Sequence, residues 1–474
     1  MLFPTITFAA FFLVVWPSTW LVARQPRARQ LLLLGASWVF YAYWDERFVA
    51  LLAATIVLVH LGARGVARTA ERPRLQRALL AACIGLHLGV LGWFKYYGFF
   101  ASTLTSALDD LGIDAHPPLV QVLLPVGISF FTFQAISYLI EVRRGVLEPG
   151  SLLEVATWIS FFPTIASGPI TRASELFPQL RVSPERRIEA NRAFSLIIRG
   201  LFKKMVLASF LASAIADDVF ASPDSHSGPE VLIGIYAYAA QLYVDFSGYT
   251  DMAIGLALLM GIRLPQNFDA PYAARSVTEF WTRWHMTLSR WLRDFLFTPL
   301  ALHSRSTTAA NCRNLLIVML LAGLWHGAAW TFVAFGAVHG VALALERAAR
   351  QRRRRTGRTL ATTLPRVIGR HVRTFHVVCL GWVFFRADSL ETAGAILARL
   401  GTGWGPVPEV TLLLALVVVA VIGVQHLPPR VAGVADAVVA RVPAAATVLA
   451  LAVALVAVDL LGPEGVPPFI YYGF

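Results

Sequence analysis

His326 stands in the stretch GLWHGAAW, inside an apolar run that extends from residue 313 to residue 346. An imidazole at bilayer depth is expensive unless it faces protein or a water-filled cavity, so a functional role is the default expectation. Gly323 and Gly327 flank it, and small residues let other groups come close to the backbone. Trp330 follows four positions on, one helical turn away. A second histidine, His285, lies in WTRWHMTLSRW. On a continuous helix Trp281, His285 and Ser289 would share one face, at i, i+4 steps. A neutral imidazole can act as a general base near pH 7, or orient a substrate through a hydrogen bond. The chemistry to expect from this pair is proton transfer inside a membrane.

Other polar residues in apolar context are less specific. His339 is thirteen residues after His326. At ~100° per residue that is a rotation of roughly 220°, which puts it on nearly the opposite face of a continuous helix and predicts a structural role. Asp245, Ser247, Tyr249 and Asp251 crowd into YVDFSGYTD. Carboxylates there must face the interior, either at a helix break lining a cavity or in a helix-packing knot. Gln134, in ISFFTFQAISYLI, reads by context as glue between helices.

The elements that must carry these residues are set by composition. The 474 residues are 57% hydrophobic and only 15% charged, with a mean hydropathy of +0.63. Soluble domains sit near 45–50% apolar and ~25% charged. Continuous apolar runs of about 20 residues recur, which predicts membrane-spanning helices and excludes a β-barrel, whose strands alternate. Candidate spans fall near 2–23, 30–44, 48–63, 78–97, 118–141, 152–170, 193–215, 231–261, 313–346, 371–386, 410–427 and 443–461. The 313–346 run is too long for one span and predicts a bent helix, or a short re-entrant helix followed by a full one. The segment 276–300 is too polar to span and too aromatic for a free loop. It predicts an amphipathic interfacial or re-entrant helix, begun by a Ser276/Glu279 capping box. The first segment lacks a basic leader and a small-residue cleavage site, so it reads as a retained helix.

The net charge of +13 is gathered in short loops between spans, which is the positive-inside pattern and not a nucleic-acid footprint. Basic first, third and fifth loops, and the run RAARQRRRRTGR (347–358), are expected in the cytoplasm. The segment 217–230 lacks Lys and Arg and is expected outside, as is the N-terminus. The three cysteines, Cys83, Cys312 and Cys379, have neither metal nor disulfide spacing, and no metal site is expected.

Several stretches together resemble the membrane-bound O-acyltransferase (MBOAT) family, most closely its bacterial alginate O-acetyltransferase, AlgI-like branch. They are PVGISFFTFQAISYLIEVRRG, FFPTIASGPITR, YVDFSGYTDMAIG, LPQNFDAPY, FWTRWHMTLSRWLRDFLFTPL, GLWHGAAWTF and the terminal PPFIYYGF. The resemblance implies an all-α polytopic membrane protein with about 11–12 transmembrane helices plus re-entrant or interfacial helices around a central tunnel. It implies a single domain over 1–474, with N-terminal helices to 117, a catalytic core over 118–365 and C-terminal helices from 366. It implies that His326 is the essential catalytic residue and His285 the second active-site residue. Trp284, Ser289, Trp325, Trp330, Gln134, Asp245 and Asn267 are expected to contact substrate. The chain departs from the family pattern at PLALHS after the 276–300 segment, at Asp269 and at Val338, none of which touches the two histidines.

The function expected is transfer of a short acyl group, acetyl, from a cytoplasmic thioester across a bacterial cytoplasmic membrane, for O-acetylation of an envelope polysaccharide. No bound cofactor is expected. The donor would be acetyl-CoA, whose phosphates suit basic loops, or an acidic acyl carrier protein. The outside segments are too short to hold a polymer, so a separate extracytoplasmic protein is expected as partner, met by the aromatic tail that includes Phe469, Tyr471, Tyr472 and Phe474. The alternatives are a proton-coupled transporter or export channel without covalent chemistry, D-alanyl or other acyl transfer to a different envelope acceptor, and a scaffold that recruits an envelope enzyme.

Overall fold

A computed structural model describes residues 1–114, 118, 122–184, 189–305, 307–357 and 363–428. The predicted span at 443–461 and the aromatic tail lie outside the described residues. Every α, 3-10 or π element among the described residues is helical, and the chain gathers into two compact units.

The first unit holds residues Met1–Ala193 and Ala253–Pro265. Its helices are α1 (Ile6–Leu21), α2 (Pro26–Ala42), α3 (Arg47–Arg68), α4 (Pro73–Leu91), α5 (Tyr97–Asp110), α6 (Ile128–Arg143), α7 (Leu152–Ser160), α8 (Phe162–Ile165) and α9 (Ala173–Arg181). Proline at the first position starts α2 and α4, where its missing N–H costs nothing. α4 passes through a π-helical turn at Gly92–Tyr96 into α5 without stopping. The predicted span at 118–141 is shorter in the structure, because Gly127, at φ +77°, begins α6 only at Ile128. Arg29 is fully buried in this unit, and its guanidinium donates to the carbonyls of Gln179 (3.1 Å) and Met260 (3.1 Å).

The second unit holds Phe194–Met252 and Gln266–Phe474. Its elements are α10 (Ala190–Leu201, entering from the end of the first unit), α11 (Ser209–Leu211), α12 (Asp217–Ala221), α13 (Gly228–Leu259), α14 (Val277–Arg283), α15 (Met286–Leu292), α16 (Thr298–Leu302), α17 (Thr308–His326), α18 (Trp330–Arg355), α19 (Leu364–Arg386), α20 (Leu390–Gly401) and α21 (Leu412–Gly423). The YVDFSGYTD stretch is not a break: α13 runs through it for 32 residues. Its carboxylates are paired instead. Lys204 Nζ meets Asp245 at 2.6 Å, while Lys203 Nζ (2.8 Å) and Arg199 Nε (3.0 Å) meet Asp251. The helices carrying them close up where Gly200 faces Gly248: a Cβ on Gly200 would lie 2.5 Å from the Gly248 carbonyl. This is the packing knot. Truncating either member of the buried Lys204–Asp245 pair would strand a charge, typically at a cost of ~3–5 kcal/mol.

The run at 313–346 resolves into two helices. α17 and α18 turn back on one another at residues 327–329 and touch backbone to backbone. A Cβ on Gly323 would lie 3.2 Å from Gly336 Cα, and one on Gly340 would lie 3.1 Å from Leu316 Cα. Among the described residues, four segments are long and apolar enough to cross a bilayer: Arg47–Arg68, Pro73–Asp110, α17 and α18, with mean hydropathies of 1.9, 1.6, 1.3 and 1.4. α1 and Leu412–His426 are shorter apolar helices.

Candidate active site

The predicted single helix over 276–300 is broken, and the break is at His285. α14 ends at Arg283, α15 starts at Met286, and between them His285 adopts φ +41°, ψ +56°. Non-glycine residues are uncommon in this left-handed region, though histidine is among the less rare there, and such conformations concentrate at functional sites. Because the helix stops there, Trp281, His285 and Ser289 do not share a helical face. The capping box is half-formed: Ser276 Oγ accepts the Glu279 N–H, but Glu279 accepts the N–H of Arg275, not of Ser276.

The break is held by Asn267. Its Oδ1 accepts the backbone N–H of Thr287 (3.1 Å) and the Thr287 hydroxyl (2.9 Å), and its backbone carbonyl accepts the N–H of Met286 (2.9 Å). The same Oδ1 lies 3.2 Å from Nδ1 of His285. A backbone N–H can only donate, so the Asn267 atom facing it is the oxygen. That oxygen can only accept, so Nδ1 of His285 carries the proton. In a neutral ring the lone pair is then on Nε2. The imidazole is fully buried, and its Nε2 makes no hydrogen bond among the described residues. Phe246 of α13 stands edge-on to the ring at 4.8 Å.

His326 is the last residue of α17, and Gly327 ends that helix in extended backbone. A Cβ on Gly327 would collide with the ring of Phe332, so glycine is required by space, not by φ. His326 is 3% exposed. Its ring meets Trp325 at 5.0 Å, Phe385 of α19 at 5.2 Å and Phe335 of α18 at 5.7 Å, all edge to face. Trp325 also meets His285, at 6.1 Å. One tryptophan therefore touches both imidazoles, and the sequence-predicted pair comes together around it.

The remaining predicted residues divide. Trp284 is buried and packs on Trp382 (5.0 Å) and Phe268 (5.1 Å), within the aromatic wall beside His285. Ser289 donates its hydroxyl to the Trp284 carbonyl (3.2 Å). Asp245 spends its carboxylate on Lys204 and leaves its neighbour Phe246 to reach His285. Trp330 is 51% exposed at the start of α18. Gln134 is buried on α6, in the first unit. Asn267 acts on His285 itself. His339 is closer to the pair than its sequence position implied. The turn at 327–329 voids the continuous-helix rotation, and Phe335 touches both His326 and His339 (4.9 Å). His339 accepts a hydrogen bond from Trp281 Nε1 (3.3 Å), and a Cβ on Gly381 would meet its ring. Phe246, Phe335 and Phe385 were missed, because a phenylalanine in an apolar run carries no signal of what it faces.

The same unit contains a basic cavity of about 950 Å³ between α14, α18 and α19. Arg275, Arg350, Arg353, Arg366, Arg370 and Arg373 line it. Of its two carboxylates, Glu346 is committed to the backbone N–H groups of Val277 (2.8 Å) and Thr278 (3.0 Å), and Glu279 pairs with Arg275 (3.3 Å).

Residues 91–385 match the profile of MBOAT, the membrane-bound O-acyltransferase family. The chain belongs to the membrane-bound O-acyltransferase family. This O-acyltransferase is 40% identical to the probable alginate O-acetylase AlgI of Azotobacter vinelandii, over 84% of this chain and 80% of that protein. It is 37% identical to the probable alginate O-acetylase AlgI of Pseudomonas aeruginosa, over 94% and 87%. It is 35% identical to the peptidoglycan O-acetyltransferase of Helicobacter pylori, over 79% and 74%. As a membrane-bound O-acyltransferase it is an enzyme whose chemistry is the making of an ester, which is the use to which buried imidazoles can be put.

Proposed function

We propose that this chain takes an acetyl group from a cytoplasmic thioester and delivers it across a bacterial cytoplasmic membrane for O-acetylation of an envelope polysaccharide. The relatives named for alginate and peptidoglycan O-acetylation support the acceptor class. The observation that carries the chemistry is the pair of buried imidazoles on one tryptophan, one of them with its tautomer set. An acceptor hydroxyl attacks the thioester carbonyl; the C–O bond forms and the C–S bond breaks. His326 takes the hydroxyl proton and returns it to the departing sulfur, a contribution of typically 10²–10⁴-fold. Neutral His285 can accept at Nε2 but not donate. It therefore holds the acceptor by taking a hydrogen bond from a second donor beside the attacking hydroxyl, and does not polarise the carbonyl. A closed aromatic site adds proximity and excludes water.

The arginine cavity supports a polyanionic donor, and acetyl-CoA is the donor we assign. With the purified chain in lipid nanodiscs, we expect acceptor-dependent release of free thiol from acetyl-CoA. The paired substitution Arg370→Glu, Arg373→Glu should raise KM for acetyl-CoA by ~10-fold or more, the worth of one lost charge-assisted contact, with kcat nearly kept. Unchanged KM would move the donor elsewhere, and absence of thiol release with any thioester would leave an exporter.

The proposed orientation has the N-terminus and Ser225 outside and the 347–358 run inside. A cysteine placed at Ser225 should react with an impermeant thiol reagent in outer-membrane-permeabilised cells, and one at Thr356 should not. Both positions are exposed, so the reverse pattern would invert the direction of transfer. A separate extracytoplasmic protein completes the reading as the carrier of the acyl group to the polymer.

A further inference from the structure

His226 is a loop residue between α12 and α13, yet it is only 2% exposed. The loop is folded against the segment that joins α20 to α21. Arg399 Nε donates to the His226 carbonyl (2.5 Å), and Gly228 N to the Gly403 carbonyl (3.1 Å). Glu230 accepts the N–H groups of Ser227 (2.9 Å) and Glu409 (3.2 Å), so both sides are fixed. Two carboxylates are brought to the buried ring. Asp218 Oδ2 lies 3.3 Å from Nε2, and Glu409 Oε2 lies 3.5 Å from Nδ1. One ligand atom from each of the three residues lies within 4.8 Å of the other two.

The geometry is poor for a hydrogen bond and good for an ion. Nε2 is buried and makes no hydrogen bond among the described residues, although a carboxylate oxygen is 3.3 Å away. That oxygen lies off the axis on which Nε2 could donate. Around a tetrahedral cation with bonds near 2.1 Å, neighbouring ligand atoms are about 3.4 Å apart. The Nε2–Oδ2 separation matches that edge, whereas Glu409 faces the other ring nitrogen, so its exposed side chain must swing toward Nε2 to complete the site. One imidazole with two carboxylates suits a borderline divalent cation, zinc foremost. The carboxylates are 63% (Asp218) and 47% (Glu409) exposed, so the remaining coordination position opens to solvent.

We propose that Asp218, His226 and Glu409 form a divalent-cation site that staples the α12–α13 loop to the segment preceding α21. The cation adds a direct tie between the two stretches to the hydrogen bonds described, and it sits on the face assigned above to the outside. The site stands apart from the two histidines of transfer, so its test does not depend on the acetyl-transfer reading.

The experiment uses the untagged full chain, purified in detergent, stripped with EDTA and then titrated with zinc. We expect one tightly bound zinc per chain by mass spectrometry, with a zinc-dependent rise in Tm. Asp218→Asn and Glu409→Gln change exposed side chains and should fold; each should weaken binding by ~100-fold, the share of one ligand in a structural zinc site. His226→Ala should remove binding altogether. If the Asp218→Asn, Glu409→Gln double variant retains zinc like the parent, or if the parent binds none above the stripped blank, the site is an ion-paired clasp and the proposal is overturned.

Discussion

His326→Ala is expected to cripple acyl transfer while leaving the protein in the membrane at normal levels. The imidazole ends α17, and the helix is held against α18 by glycines, not by the histidine. Losing the ring removes its contacts with Trp325, Phe335 and Phe385, while the glycine seam between the two helices stays in place. The cost therefore falls on chemistry, by ~10²–10⁴-fold in kcat if the ring is the general base. Acetylated polysaccharide measured in cells carrying the substitution as their only copy decides the matter. Normal acetylation there would remove His326 from the mechanism.

The second large effect is at His285, and it extends to the residue behind it. His285→Ala should lower turnover by ~10²-fold or more, whereas Ser289→Ala should change it little, because the Ser289 hydroxyl is already given to the Trp284 carbonyl. Asn267 touches no reacting atom in this assignment and is a positioning residue. Asn267→Leu removes the oxygen that fixes Nδ1–H and should lower kcat with much smaller change in donor KM. Asn267→Asp keeps an acceptor oxygen at the same place and should restore much of the loss. Equal losses in both Asn267 variants, with KM and kcat moving together, would reduce Asn267 to a packing role.

The membrane class was legible in the sequence, as was the division of the 313–346 run and the choice of two histidines that the structure brings to one tryptophan. The place of the helix break was not. WTRWHMTLSRW has good helix formers on both sides of His285, and the break is imposed from a distance, by Asn267 eighteen residues upstream capturing the Thr287 amide. Helical periodicity has no term for such a partner, so it put Trp281, His285 and Ser289 on one face. The rotation of His339 relative to His326 was likewise worked out for one continuous helix and does not apply across two. Asp245 and Asp251 were read correctly as interior groups, but their partners Lys204, Lys203 and Arg199 lie 41, 48 and 52 positions away, where spacing says nothing.

The hairpin of α17 and α18 bears on how such a site can diversify. Gly323 and Gly336 leave no room for even one extra carbon where the two backbones meet, and Gly340 leaves little. Drift along that seam is closed, since any larger residue would lift His326 away from its neighbours. Descendants of this sequence that come to accept a longer acyl chain or a different sugar must do so through residues that approach the histidines from other helices, Phe246 and Phe385 above all. On the proposed assignment His326 is thus inherited as a fixed post, and adaptation is confined to the walls facing it.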